Sequence, residues 1–310
     1  MVSTRPSRRA IRQGTVEIYL VCAAEHGVAV DVDRASVVSA PRADRAEMRS
    51  EREEGVETAG LIAAIAGGAS GMARATAELL AERGAKVAIL DRAESAGEAT
   101  AAAIGRGSFF HPLDIRDSAS IARALDAVVA RWGALHVGVN TAGGGIARRT
   151  LAKEGPHPLD DFRAVVELNL IGSFDFLRLC AERMATNQPN ADGERGVVIS
   201  TASIAAFEGQ IGQVAYAAAK SGIAGMTFVA ARDLGSLGIR AMAIAPSLFQ
   251  TGLTQGIPEE MAVGLTRDAA FPKRMGRPVE YARMALAIVE NPMLNGSTIR
   301  LDGGQRFAPK

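Results

Sequence analysis

Three side chains that can exchange protons lie close together in the second half of the chain. Tyr216 and Lys220 are four residues apart, so on a helix their side chains share one face, and Ser203 precedes the tyrosine by thirteen residues. A phenol has a pKa of about 10, and a neighbouring ammonium favours its ionised form. We therefore expect Tyr216 to exchange a proton with a substrate hydroxyl, helped by Lys220, while Ser203 hydrogen-bonds the reacting oxygen.

A glycine-rich turn follows the first apolar run of the chain, which covers Leu61 to Ala66. Small residues in such a turn let backbone amides and a helix amino terminus approach a pyrophosphate. A glycine-rich turn is weak evidence when it stands alone, but its position after a first strand indicates a dinucleotide-binding loop. The predicted cofactor-binding residues of this loop are Gly67, Ser70, Gly71 and Met72.

An acidic residue, Asp91, ends the second predicted strand at the usual distance beyond such a loop. Its carboxylate can accept hydrogen bonds from the adenosine ribose hydroxyls and repel a 2′-phosphate. Arg92 points the other way, because an arginine can accommodate a phosphate, whereas Ser70 offers no positive charge. The sequence therefore favours NAD over NADP, with hydride passing between the substrate carbon and the nicotinamide.

From residue 60 onward, short apolar runs alternate with helical patterns, which is the order expected of βαβ units. Crossover helices make such strands parallel, so we predict a single Rossmann-type, doubly wound α/β fold with about seven strands and helices on both faces. Ligands of these folds bind beyond the carboxyl ends of the strands. The predicted strands are 61–66, 86–90, 108–110, 136–140, 197–200, 239–244 and 297–301, and the helices are 73–82, 95–104, 118–129, 159–184, 214–234 and 284–290.

Composition excludes several other classes of protein. A net charge of +1 predicts neither nucleic acid nor a membrane surface as a partner, and no long uncharged apolar run predicts a transmembrane helix. Cys22 and Cys180 lie far apart, and the four histidines have no ligand spacing, so we expect no metal and no disulfide. A reducing, cytoplasmic location fits this pattern best.

The first 55 residues lack sustained periodicity and mix charges freely. We predict that 1–55 is a disordered extension or the product of a start placed too early, with Met48 as an alternative start. Its arginines leave a transit sequence or a basic arm as further interpretations. Residues 56–310 form the predicted catalytic domain.

Together these residues resemble the classical short-chain dehydrogenase/reductase family over residues 56–304. The nucleotide loop matches at Gly67 and Gly71, and the family's helix asparagine matches Asn169, which the resemblance places in a proton relay through the lysine. Its adenine-binding position and its Asn-x-Ala-Gly motif match a further set: Asp114, Ile115, Asn140, Thr141, Ala142 and Gly143.

Within that family, the chain is most similar to the type-2 3-hydroxyacyl-CoA dehydrogenase branch, through segments 151–157, 187–196, 205–210 and 291–296. This resemblance implies an acyl-CoA substrate near Gln210 and a homotetramer formed through two long helices. It also implies cofactor contacts from Ser70, Met72, Asp91, Asp114, Ile115, Thr141, Phe249 and Thr251.

Four positions depart from the family pattern: Ala66, Ala73, His136 and Ser247. The first two alter the nucleotide loop, and a side chain at Ser247 could crowd the nicotinamide. These departures leave open a degenerate protein that serves as a binding or scaffold subunit. Two enzymatic alternatives also stay open on the same scaffold, namely a hydroxysteroid dehydrogenase and an NADPH-dependent 3-oxoacyl reductase.

Overall fold

The computed structural model describes residues 56–251 and 259–308. The predicted extension 1–55, with Met48 and Cys22, lies outside the described residues, as does the segment 252–258 that follows Thr251.

A seven-stranded parallel sheet in the order β3-β2-β1-β4-β7-β8-β9 forms the centre of the fold. The predicted doubly wound α/β class is thereby confirmed. The chain reverses its direction of winding between β1 and β4, which creates a crevice at the carboxyl ends of these strands. The strands are β1 Ile62–Ala66, β2 Lys86–Asp91, β3 Phe109–Pro112, β4 Val137–Asn140, β7 Gly196–Thr201, β8 Ile239–Pro246 and β9 Thr298–Leu301.

Helices cover both faces of this sheet, because each crossover between parallel strands carries one. They are α1 Gly71–Glu82, α2 Gly97–Ile104, α3 Ser118–Trp132, α4 Leu159–Val166, α5 Gly172–Met184, α6 Val214–Gly235, α7 Glu259–Thr266 and α8 Pro278–Glu290. The predicted start of α8 was too late, because two signals mark an earlier start: Pro278 in the first turn, and Glu280, whose carboxylate accepts from the Arg277 amide at 2.7 Å.

Two large apolar cores lie against the sheet, one on each side, and a smaller cluster around Ile223 accompanies them. Every residue of β1 is buried, and its alternation sends Ala64 and Ala66 to one core and Ala63 and Ile65 to the other. Alanine dominates this central strand, so helices can pack close to the backbone. The compact packing brings the helix amino termini near the strand ends that carry the site.

The helix predicted over 159–184 is interrupted by a π turn, Glu167–Ile171, between α4 and α5. At Gly172 the helix passes so close to the backbone that an added Cβ would lie 2.7 Å from the Ile115 carbonyl oxygen. Widened turns of this kind occur often at functional sites. Asn169 lies within the π turn and is completely buried.

Three short elements, the strands β5 and β6 and the helix α7, were not predicted from the sequence. A small antiparallel hairpin, β5 Leu151–Ala152 and β6 Gly155–Pro156, stands apart from the main sheet. The third unpredicted element is the helix α7.

Within the described part of the chain, one helix, α6, is long and apolar enough by composition to span a membrane. Here it packs on β8 and carries the buried Lys220, and a single core helix of this kind is weak evidence for a membrane span.

Candidate active site

The glycine-rich loop requires glycine for two independent reasons at Gly67. Its φ is +77°, in the left-handed region, and an added Cβ would lie 2.9 Å from the Thr141 hydroxyl oxygen and 3.1 Å from the Ala142 amide nitrogen. The loop after β1 and the loop after β4 therefore touch each other. Thr251 closes the other side, because an added Cβ at Gly71 would lie 3.3 Å from its side chain.

The first turn of α1 offers free backbone amides to an anion. Ser70 is the N-cap residue, yet its side chain makes no capping hydrogen bond, and the turn contains no acidic residue. Unpaired amides and the positive end of the helix dipole suit a pyrophosphate. The loop from Gly67 to Met72 thus fits the diphosphate of a nicotinamide dinucleotide.

Two departures from the family pattern are accommodated by the structure. Ala73 is fully buried in the core, where its methyl group takes part in helix packing. At Ala66, the threonine hydroxyl of the family pattern is absent. The backbone still joins the loop after β1 to the loop after β4, because the Thr141 amide donates to the Ala66 carbonyl oxygen at 3.0 Å. The third, Ser247, lines a cavity of about 140 Å³ together with Phe249 and Leu301.

Asp91 is fixed directly beneath the glycine-rich loop. Its two carboxylate oxygens accept hydrogen bonds from the Ala69 amide at 3.0 Å and the Arg92 amide at 2.8 Å. The Arg92 guanidinium is exposed and pairs with Glu94 at 3.0 Å. A negative charge is therefore held in a fixed position at the end of β2, beside the glycine-rich loop.

The other predicted cofactor residues differ in how far their side chains are exposed to solvent. Asp114 pairs with Arg116, whose hydrogen bonds hold the pKa of the Asp114 carboxyl below its ordinary value. Ile115 is buried in the core, and Phe249 is buried against Gly276, where an added Cβ would lie 2.5 Å from the phenyl ring. A cofactor contact from these buried side chains stays a prediction.

Asn140 acts within the protein, as a brace for the loop that follows β4. Its side chain is buried, donates to the Ser173 hydroxyl at 3.1 Å and accepts from the Ala142 amide at 2.9 Å. The side chain is satisfied by protein groups. Any effect of Asn140 on a cofactor would therefore act through Thr141 and Ala142.

Tyr216, Lys220 and Ser203 come together as predicted, at the carboxyl end of β7 and the start of α6. The Lys220 Nζ lies 5.5 Å from the Tyr216 ring centroid and donates to the Thr201 carbonyl oxygen at 2.8 Å. Ser203 hydrogen-bonds the phenol, and its hydroxyl oxygen also accepts from the Ala205 amide at 3.1 Å. Only Tyr216 retains substantial access to the crevice, since Lys220 is 4% exposed and Ser203 8% exposed.

The electrostatics of this group differ from the sequence-based expectation. Burial raises the pKa of Tyr216, and the hydrogen bond from Ser203 opposes that rise. Burial also lowers the pKa of Lys220 to about 8. The expected acidification of the phenol by the ammonium is thus outweighed in the protein chain alone, because desolvation disfavours both charged forms.

Asn169 connects the π turn to the loop after β4, close to Lys220. Its amide nitrogen donates to the carbonyl oxygens of Gly144 at 2.7 Å and Val165 at 2.8 Å. An added Cβ at Gly143 would lie 2.6 Å from the Asn169 side-chain oxygen and 3.4 Å from the Lys220 Nζ. Small residues in this loop let the asparagine and the lysine approach each other.

The predicted substrate residue Gln210 lies beside an open groove of about 390 Å³. Its backbone amide donates to the Gln213 side-chain oxygen at 3.2 Å, which shapes the loop after Ser203. The opposite wall of the groove includes Leu151 from the hairpin, which is 72% exposed. Neither Gln213 nor the hairpin was singled out as functional by sequence reasoning.

A cluster of four charged residues, which we call the β9 ion-pair cluster, holds this loop to the last strand. Glu208 accepts from both terminal nitrogens of Arg300, at 2.7 and 3.0 Å. Asp302 accepts from the Arg300 Nε at 2.7 Å, and Arg306 reaches both carboxylates. No local pattern predicts it, because Glu208 and Arg300 are 92 residues apart.

Among the described residues, no group of three histidine, cysteine, aspartate or glutamate side chains could hold a metal ion. His136 has a structural partner instead: its Nδ1 accepts from the Ile62 amide at 3.1 Å at the start of β1, and burial lowers the pKa of its imidazole. Cys180 is buried, and burial raises the pKa of its thiol.

Comparison with known proteins agrees with this geometry. The family model described as short chain dehydrogenase matches residues 61–262. The 3-hydroxyacyl-CoA dehydrogenase type-2 of Homo sapiens is 48% identical over 81% of this chain and 97% of its own length, and the Drosophila melanogaster protein of the same name is 44% identical over 80% and 98%. The crystal structure of 3-hydroxyacyl-CoA dehydrogenase type-2 from Mycobacterium avium superposes with a TM-score of 0.78 at 40% identity, over 81% of this chain and 98% of that one.

Members of this family bind a nicotinamide cofactor. The glycine-rich loop, the uncapped helix terminus and the pair of an accessible tyrosine with a buried lysine suit one. Fold, site geometry and sequence similarity therefore lead to one conclusion: the chain belongs to the short chain dehydrogenase family and is an oxidoreductase that acts on CH–OH groups.

Proposed function

We propose that this protein transfers a hydride between NAD and the 3-hydroxyl or 3-keto group of a short or branched 3-hydroxyacyl-CoA. The observation that carries the proposal is the group of a half-buried Tyr216 with the buried Lys220 and Ser203, beside a loop that suits a dinucleotide. The similarity to proteins named 3-hydroxyacyl-CoA dehydrogenase type-2, at 44–48% identity, supports the choice of substrate.

Tyr216 is the proposed acid and base. Since burial raises its pKa, the phenol is protonated at neutral pH in the chain alone and is ready to donate to a substrate carbonyl oxygen. The reverse direction needs the phenolate, which additional positive charge at the site would favour. Ser203 is proposed to hydrogen-bond the substrate oxygen, and Lys220 to stabilise the phenolate from its position on the Thr201 carbonyl.

Asn169 is the fourth proposed catalytic residue, in a supporting role. It holds the backbone of Gly144 by two hydrogen bonds, through its side-chain nitrogen and oxygen. That loop packs against Tyr216, because an added Cβ at Gly145 would lie 3.2 Å from the tyrosine ring. Asn169 thus holds in place the loop that packs against Tyr216 and lies close to Lys220.

The cofactor supplies the hydride acceptor or donor when it is bound. The residues proposed to hold it are Gly67, Ser70, Gly71, Met72, Asp91, Asp114, Ile115, Asn140, Thr141, Ala142, Tyr216, Lys220, Phe249 and Thr251. The carboxylate of Asp91, locked by two backbone amides, supports NAD rather than NADP.

The acyl substrate is proposed to enter between Gln210 and the hairpin, where the open groove reaches the loop that follows Ser203.

A homotetramer is also proposed, because α5 and α6 expose large apolar side chains: Phe174, Phe228 and Val229 are 50–55% exposed. A cytoplasmic location completes the proposal.

Reduction of acetoacetyl-CoA by the purified protein tests this function directly. We expect turnover with NADH that exceeds turnover with NADPH, and faster reaction with short CoA thioesters than with 3-ketosteroids. Faster reaction with NADPH would contradict the cofactor assignment, and a preference for steroids would contradict the substrate. A fluorescence titration with NADH identifies a scaffold, since a degenerate protein would bind no cofactor.

A further inference from the structure

Tyr281 is a buried phenol that the proposed reaction does not use. It lies on α8, is 0% exposed, and its neighbours on the buried face of that helix are apolar, including Ala282, Ala285 and Leu286. Phenylalanine would fill the same space. A phenol hydroxyl in such surroundings is costly to bury unless it has a specific partner.

The partner of this hydroxyl is Thr201, the last residue of β7. The Tyr281 phenol oxygen lies 2.7 Å from the Thr201 hydroxyl oxygen. That threonine hydroxyl in turn donates to the Asn140 carbonyl oxygen at 2.6 Å. A threonine has one hydroxyl proton, and the Asn140 carbonyl takes it, so Tyr281 must be the donor in its bond to Thr201. The Tyr281 hydroxyl therefore donates to the Thr201 hydroxyl, which in turn donates to the Asn140 carbonyl oxygen.

Thr201 also carries the carbonyl oxygen that accepts from the Lys220 Nζ at 2.8 Å. The register between β4 and β7 extends to the pair Asn140 and Ser200, directly before Thr201. The hydroxyl bond from Thr201 to the Asn140 carbonyl oxygen adds a side-chain tie between the two strands at this end. The side chain of Thr201 therefore helps to hold the end of β7, and with it the lysine's acceptor.

We propose that Tyr281 is a positioning residue for the active-site lysine: its hydroxyl anchors Thr201, whose carbonyl oxygen holds the Lys220 ammonium beside Tyr216. Helix α8, on the opposite face of the sheet from α6, thereby contributes to the chemistry without touching it. The inference deepens the proposed function and rests on it, since Lys220 must take part in the reaction for its placement to matter.

The test compares Tyr281→Phe with the wild-type protein in acetoacetyl-CoA reduction. If the wild type reduces another short CoA thioester or a 3-ketosteroid faster, that substrate is used instead. We expect kcat to fall about two- to tenfold, the worth of one neutral hydrogen bond, with KM and NADH affinity unchanged. A less well held carbonyl stabilises the ammonium less, so the pKa of Lys220 falls and the alkaline limb of the kcat profile moves to lower pH.

Two further variants keep the test sharp. Thr201→Val should reproduce the shift of the alkaline limb, while Thr201→Ser, which keeps the hydroxyl, should retain the wild-type limb. In the double variant Y281F/T201V, the losses in kcat should not add, because both substitutions break the same chain of bonds. Thr227→Val is the matched control: it removes another buried hydroxyl from α6, one that bonds only to its own helix at Ile223.

Each result supports or contradicts the inference. If Y281F lowers Tm as T227V does, yet keeps the wild-type kcat and alkaline limb, the phenol only stabilises the fold and the inference is wrong. Additive losses in the double variant would contradict it as well. An inactive wild-type protein would overturn the proposed function together with this inference, whereas an active wild type with an unchanged Y281F would overturn the inference alone.

Discussion

The loop after β1 and the loop after β7 serve the same crevice but are built in different ways. The first is tied to its neighbours by backbone amides: those of Gly67 and Gly68 donate to the Leu90 carbonyl oxygen at 2.8 and 3.2 Å. The second, Phe207 to Gln213, has one such backbone bond, from the Arg148 amide to the Gly212 carbonyl oxygen at 2.8 Å, and is otherwise joined to the fold mainly by side chains, above all by Glu208 and Arg300.

This contrast matches the ligands that the two loops are proposed to bind. A diphosphate is recognised by amides in fixed positions, so the loop after β1 depends on backbone geometry and tolerates few side chains. An acyl chain is recognised by shape, and a loop held by side-chain pairs can change shape by substitution without disturbing the sheet. Cofactor binding should therefore be sensitive to backbone changes, and substrate affinity to changes of charge.

The largest effect is expected where the two regions meet, at Tyr216. Tyr216→Phe should retain NADH binding and lose at least about a hundredfold in turnover, the usual contribution of a positioned acid or base. Stopped assays of turnover and a fluorescence titration with NADH measure the two properties separately. Turnover that equals that of the wild type would remove Tyr216 from the mechanism.

A large effect on the cofactor alone is expected from Gly67→Ala. The substitution places a Cβ 2.9 Å from the Thr141 hydroxyl and imposes a positive φ on alanine, so NADH affinity should fall at least about tenfold. Gly60→Ala is the matched control, because Gly60 has a φ of +83° with nothing within 4 Å of its added Cβ. The Gly60→Ala variant should lower Tm by less, because it shares only the positive φ with Gly67→Ala, and it should bind NADH normally. Equal NADH affinities in the two variants would contradict the backbone argument.

A smaller and opposite pattern is expected from Glu208→Gln in the β9 ion-pair cluster. The substitution removes the charge that Arg300 and Arg306 share, so the loop that carries Gln210 should loosen. We expect KM for acetoacetyl-CoA to rise about two- to fivefold with little change in NADH affinity, since a single pair of this kind contributes modestly. Glu78→Gln, which breaks the surface pair with Arg74, is the control and should leave KM unchanged. A weakened NADH affinity in E208Q would erase the contrast between the loops.

The smallest effect is expected at the amino-terminal edge of the sheet, remote from both loops. Burial lowers the pKa of His136 in the folded protein, so the unfolded chain binds more protons once the pH falls below about 6.5. Stability should therefore decline with falling pH through this window, and His136→Asn should decline less. Thermal melts at pH 7.5 and pH 5.5 measure the difference, and identical declines in the two proteins would show that another group is responsible.

Local patterns were sufficient to predict the parts of the site that are contiguous in the chain. The loop from Gly67 to Met72, the placement of Asp91 beneath it and the approach of Tyr216 to Lys220 follow from spacing and strand order. The direction of the Tyr216 pKa was not predictable in this way. It depends on how deeply the phenol is buried, and burial is a property of the complete fold.

Long-range pairs were beyond sequence reasoning for the same reason. Thr201 and Tyr281 are 80 residues apart, and each alone is an ordinary residue of a strand or a helix. The π turn at Asn169 also left no signal, because its residues, ELNLI, suit a regular helix equally well. Such features arise where packed elements meet, and a single sequence does not show which side chains will face one another.

The π turn gives the long helical segment two faces with different orientations. An extra residue in one turn advances the side chains that follow by about 100° relative to an unbroken helix. Within the turn, Leu168 packs with the core that contains Phe176, and Leu170 packs with a smaller third cluster that contains Ile223. A deletion of one residue here would return the segment to a regular helix and rotate α5 relative to α4. A single inserted residue in this helix would therefore rotate all the side chains that follow it about the helix axis, without bending the helix.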